Sequence, residues 1–140
     1  VARWQRQRRR VGFGHIYQGR FKSFPVAKDK YFHVVARYIE RNAQRAKLVK
    51  RAADWRWSSL WRKEHESEDD EWQLSNWPVR RPSDWKKLLG APQNDTELKA
   101  LRESIRRGRP YGSEDWVAMT AAELGLESSL RPRGRPRRAG

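Results

Sequence analysis

A chain of 140 residues has room for one modest domain and a tail. Its 32 Lys and Arg against 17 Asp and Glu give a formal charge of +15, which favours a polyanionic partner held in a strongly salt-dependent way. The absence of cysteine excludes disulfides, thiolate zinc sites and cysteine nucleophiles, and no apolar run is long enough to span a membrane.

The charge is unevenly spread. Residues 1–63 hold 18 Lys and Arg against 3 Asp and Glu, residues 64–72 hold 6 acids and no Lys or Arg, and residues 73–140 hold 14 against 8. This predicts four regions: 1–63, a linker or loop over 64–82, a small helical region over 83–126, and a basic tail over 127–140. The acidic run reads as a solvated loop, or as a nucleic-acid mimic lying on the basic face. The basic segments lack the apolar stripe of a membrane-surface helix, so nucleic acid is the favoured polyanion and no membrane partner is expected. The charged N-terminal stretch has no apolar signal region, which predicts a cytoplasmic, nucleoid-associated protein.

In chain order, Arg3–Arg10 reads as a basic arm or helix end, broken by Gly12 and Gly14. His15–Phe24 alternates weakly and is rich in aromatics, with Gly19 at a turn, which predicts two short strands closed by Pro25. Asp29 then caps a predicted helix to about Lys47. On its wheel Phe32, Val35, Ile39, Ala43 and Ala46 form the apolar face, and Glu40 falls on the far side. Tyr38 stands just past the margin, flanked by Arg45, Arg41 and Arg37.

Asp54–Trp61 is expected to dock back on that helix; the tryptophans could stack on bases, but Trp55 and Trp57, alternating with Arg56, are expected to help build a small core. Helices follow over Ser83–Leu89, from Asn94 or Asp95 to Arg107, and from Ser113 through Leu124. The last two could be an ordinary helix pair or a DNA-reading helix-turn-helix. Leu130–Arg138 cannot form a core and is expected to be disordered when free. Within it, Arg133, Arg135 and Arg137 around Gly134 and Pro136 have the pattern of a minor-groove hook.

The chemistry turns on Tyr38. A tyrosine that cleaves a phosphodiester needs its hydroxyl in line with phosphorus, cations on the phosphate oxygens, and usually a metal. Because a free tyrosine titrates near pH 10, neighbouring cations assist its ionisation. Arg41 and Arg45 meet part of this requirement, although a tyrosine at the edge of an amphipathic helix is commonly a packing residue. His15, His33 and His65 are far apart and form no His-x-His pair, so no metal ligands are identified. Phosphate-binding glycine loops and serine-hydrolase motifs are absent.

Gly14–Pro25 (GHIYQGRFKSFP), Arg37–Ala46 (RYIERNAQRA) and Asp54–Ser59 (DWRWSS), in this order and spacing, resemble the C-terminal half of REP-associated tyrosine transposases. These are IS-type single-tyrosine enzymes of the HUH class. Arg107–Trp116 and Leu124–Leu126 leading to Arg133–Pro136 are similar to the tail of many members. The resemblance implies an α+β fold: the C-terminal portion of a ferredoxin-like HUH domain, with a short strand pair and a nucleophile helix, then short helices and a disordered basic tail.

It further implies that Tyr38 is the nucleophile, forming a 5′-phosphotyrosine link with single-stranded DNA at palindromic hairpins. His15, Gln18, Arg20, Lys22, Arg37, Arg41, Asn42, Arg45, Arg133, Arg135 and Arg137 are the expected DNA contacts. A divalent metal, Mg or Mn, is implied as cofactor, and a homodimer is possible. Ala43 stands where the family often has proline, a change a helix accepts readily.

The family's His-hydrophobe-His metal strand is missing before Gly14, so Val1 is expected to fall mid-domain and residues 1–140 alone are expected not to nick DNA. A non-catalytic DNA-binding remnant, acting as a repressor or accessory module, is the alternative. An RNA-binding basic protein is a further one.

Overall fold

Residues 30–46 contain neither glycine nor proline, so the backbone can wind without interruption. In the computed structural model, which describes residues 22–28, 30–65, 74–132 and 134, they form α1 (Lys30–Glu40) and α2 (Asn42–Arg45). The two are nearly one helix: the Arg41 and Arg45 amides donate to the Arg37 and Arg41 carbonyls at 3.1 and 2.9 Å across the join. The chain then leaves the helix through Lys47, whose φ is +58°. The Leu48 amide donates to the Ala43 carbonyl and the Lys47 amide to the Gln44 carbonyl, both at 3.0 Å, which is the bond pair of a Schellman stop. Asp29, the expected cap of α1, lies outside the described residues.

The later helices follow their local signals. The Ser58 hydroxyl accepts from the Trp61 amide at 3.1 Å and opens α3 (Ser59–His65). After α4 (Trp85–Gly90), Asn94 accepts from the Thr96 amide at 2.8 Å and starts α5 (Asp95–Arg107). Gly108 ends it at φ +69°, a left-handed position that glycine adopts without a Cβ penalty. Ser113 precedes α6 (Glu114–Glu123). Short 3-10 turns occupy Ala52–Asp54 and Glu127–Ser129.

The described residues show no strand pair. Among the described residues there is no strand or sheet, only an isolated parallel bridge between Val26 and Tyr111. His15–Phe21, most of the predicted ribbon, lies outside the described residues. Its described end, Lys22–Phe24, leads through Pro25 into that bridge. There the Ala27 amide donates to the Tyr111 carbonyl, and the Tyr111 amide to the Pro25 carbonyl, both at 2.9 Å. The extended segment thus satisfies its backbone on the α5–α6 connection rather than on a neighbouring strand. This overturns the α+β, ferredoxin-like expectation: the described architecture is helical.

A core cluster of Ala52, Leu60, Trp85 and Leu89 joins α3, α4 and the preceding turn, with Ala36 of α1 and Trp77 packed against it. Leu60 and Leu101 are each at most 1 % exposed, and burial of such a side chain is worth roughly 1.5–3 kcal/mol. Trp77 and Trp85 meet edge-on with ring centroids 5.0 Å apart, and Phe32 meets Trp77 at 5.3 Å. α1 packs on both α4 and α5. No helix of the described residues is long and apolar enough to cross a membrane.

Two expectations about facing are corrected. Ile39 is 61 % exposed and Ala46 is exposed, whereas Glu40 is buried; the inward face of α1–α2 runs through Ala36, Glu40 and Ala43. The rotation follows from what α4 brings: an indole N–H that makes a carboxylate acceptable in the interior. Trp57, expected in the core, is 72 % exposed; the indoles at the core cluster are those of Trp85 and Trp77.

Candidate nucleic-acid interface

The helical period places Arg37, Arg41 and Arg45 in one row along α1 and α2, with Tyr38 beside them. The Arg45 guanidinium lies over the Tyr38 ring, 3.8 Å from its centroid, a cation–π contact that orders both side chains. Arg45 also donates to the Asn42 side-chain oxygen at 3.0 Å. The Tyr38 ring is half-buried, and its hydroxyl makes no hydrogen bond to any described residue.

Arg37 and Arg41 are anchored to the end of α4. Arg37 donates to the carbonyls of Ala91 and Pro92 at 2.6 and 3.1 Å, and Arg41 donates to the same Ala91 carbonyl. Carbonyls past the last turn of a helix carry partial negative charge and accept cations well. Burial, and then the like charges of Arg37 and Arg45, pull the Arg41 guanidinium below its ordinary value. Among the described residues none of these three arginines pairs with a carboxylate; the ion pairs involve Arg51, Arg81, Lys86, Arg106 and Arg107. The Nε of Arg37 and the Nη1 of Arg45 are shielded from solvent and donate to no acceptor there. Among the described residues the cluster is therefore a row of positive charge steadied by carbonyl dipoles, with no carboxylate against it; most of the acidic run falls within residues 66–73, which lie outside the described residues.

Of the other expected contacts, Lys22 is exposed on the extended segment before the Val26 bridge, and Asn42 is exposed beside Arg45. His15, Gln18, Arg20, Arg133, Arg135 and Arg137 lie outside the described residues. The structure thus brings Tyr38, Arg37, Arg41, Asn42 and Arg45 together.

Sequence reasoning missed a buried pair behind this face. The Glu40 carboxylate accepts from the Trp85 indole Nε1 at 2.7 Å and lies 3.4 Å from Arg81, which itself stacks 4.8 Å from the Trp77 ring. The one sign was that Glu40 is the only acid between Lys30 and Lys50. Burial pushes the Glu40 carboxyl above its ordinary value, against the opposing pull of the Trp85 hydrogen bond and of Arg81. Since the folded state then holds the proton more tightly than the unfolded chain, this residue's contribution to stability falls as pH rises from the ordinary carboxylate value through the folded one. Glu40→Gln keeps an acceptor for the indole and removes the titration. Urea melts from pH 4.5 to 7 are expected to show wild-type stability declining relative to that of Glu40→Gln. A difference that rises with pH would contradict the assignment.

Among the described residues the donors near Tyr38 do not fit a divalent ion. His33 shares its Nε2 with the Arg80 carbonyl at 3.0 Å and sits against Trp77 and Trp85, while Glu40 is held by Trp85 and Arg81. Among the described residues no group of three or more His, Asp and Glu side chains could hold a metal ion. Comparison with family models, with curated proteins and with solved structures finds no match to this chain.

Proposed function

We propose that this chain binds single-stranded DNA and carries the nucleophile of a REP-associated tyrosine transposase, acting at palindromic hairpins. The observation that carries the reading is the arginine row beside Tyr38, which meets no carboxylate among the described residues. In the proposed step the Tyr38 oxygen bonds to phosphorus and the bridging bond to the 3′ oxygen breaks. The tyrosine proton is lost to solvent, and the 3′ oxygen leaves as a hydroxyl. A 3′-hydroxyl reverses the step and rejoins the strand. Arginine donors match the charge spread over phosphoryl oxygens in the transition state.

A divalent metal, where the cleavage uses one, takes its ligands from outside the described residues. The same observation supports the binding-only reading, in which this chain alone holds DNA and does not cut it.

Competition at fixed salt between a labelled DNA hairpin and a structured RNA tests the partner. The DNA hairpin is expected to win by about tenfold or more. Preferential binding of the RNA would replace this reading with an RNA-binding one.

A further inference from the structure

On the side of α1–α2 next to Tyr38 an open groove of about 310 Å³ runs between Ile39, Asn42, Leu48, Trp57 and Ser58. Three of its apolar residues stand unusually clear of the core: Ile39, Leu48 and Trp57 are 61, 62 and 72 % exposed. Exposed apolar side chains gathered around a concavity mark a binding surface more often than chance. The Arg56 guanidinium lies 4.4 Å from the Trp57 ring centroid. A second concavity of about 370 Å³ adjoins Trp57 and is bordered by Arg56, Trp61, Arg62 and His65. There Trp61 and His65 are stacked, with centroids 4.1 Å apart and planes 9° off parallel.

Charge selects the occupant. Two of the groove's lining residues each carry a cation among the described residues: Arg45 is bonded to Asn42, and Arg56 lies over Trp57. The carboxylate at the floor, Glu40, is already held by Trp85 and Arg81. A second copy of this chain would bring the same formal +15 against those two arginines. A flat apolar ring attached to phosphates fits both the indole and the cations. The groove is also continuous with the proposed cleavage face, because Asn42 belongs to both.

We propose that this groove holds an unpaired base of single-stranded DNA, stacked on Trp57, beside the phosphodiester that lies at Tyr38. The hydroxyls of Ser58 and Ser59 and the Asn42 amide line the groove and offer hydrogen bonds to the base edge. The site rests on the DNA-binding reading above and adds a base contact to it. Such stacking is sequence-tolerant, because every base has a π face.

The test is anisotropy titration of the 140-residue chain with a labelled DNA hairpin carrying a single-stranded flank, its flank nucleotides replaced one at a time by an abasic residue. One abasic position is expected to weaken the wild-type protein about tenfold. Trp57→Ala is expected to weaken binding to the intact flank by a similar factor and to be indifferent to that abasic position. Trp57→Phe, which keeps an aromatic face, should keep most of the affinity and the abasic sensitivity. If Trp57→Ala binds as well as wild type, or responds to every abasic position as wild type does, the stacking site is overturned while the DNA-binding reading stands. Failure of the wild-type chain to bind any of the hairpins overturns both.

Discussion

Trp85→Ala is expected to remove most of the stability of the helical unit. Trp85 is 3 % exposed, belongs to the core cluster, and meets Trp77 edge-on. Truncation of a buried tryptophan costs about 3–5 kcal/mol through lost contacts and the cavity left behind. A second loss follows, because the Glu40 carboxylate gives up its 2.7 Å indole donor while remaining buried, which adds about 1–3 kcal/mol. Against a total of about 5–15 kcal/mol for an ordinary domain, the sum brings the variant close to unfolding. Trp57→Ala, at an exposed position, is expected to change stability by no more than about 0.5 kcal/mol. Guanidinium melts followed by circular dichroism distinguish the two. Equal midpoints would remove Trp85 from the centre of the core.

The second large effect is chemical. In a form of this protein that cleaves a hairpin substrate, Tyr38→Phe is expected to abolish the covalent protein–DNA adduct, by at least about 10³-fold. It should leave hairpin affinity nearly unchanged. The phenyl ring still supports the Arg45 guanidinium that lies 3.8 Å from it, so the arginine row keeps its shape and only the attacking oxygen is gone. The 140-residue chain incubated with Mn²⁺ is expected to form no adduct, since its sequence contains no His-x-His pair to hold the metal. Denaturing electrophoresis of a labelled hairpin reads both results. An adduct that persists in Tyr38→Phe moves the nucleophile to another residue.

How far the chain was legible depended on whether the decisive partner was local. The Asn94 cap and the Gly108 stop of α5 lie within a turn of the helix ends they set, so sequence alone located that helix. α6 likewise begins after Ser113. The extended segment at Lys22–Pro25 was legible as extended but not as to its partner. Aromatic alternation pointed to an adjacent strand, whereas the backbone bonds of Pro25 and Ala27 run to Tyr111.

The same reason explains Glu40. A helical wheel gives a carboxylate to solvent, and the Trp85 indole, from a helix 45 positions away, together with Arg81 makes its burial tolerable. Trp57 and Trp85 could not be told apart by residue type. Their exposure depends on which indole finds Trp77 and Leu60 to pack against. Within the site, the arginine row beside Tyr38 was readable from the helical period. Its anchorage was not, because the carbonyls that hold Arg37 and Arg41 belong to Ala91 and Pro92.

The central claim is that the arginine row beside Tyr38 neutralises DNA phosphates, and among the described residues Arg45 is the member of the row whose guanidinium bonds to no backbone carbonyl. The most direct measurement is hairpin-DNA affinity as a function of salt for wild type and Arg45→Ala. Loss of one phosphate contact should weaken binding and reduce the magnitude of the slope of log K against log salt by about 0.7. A weakened affinity with an unchanged slope, or no change in either, would contradict the account.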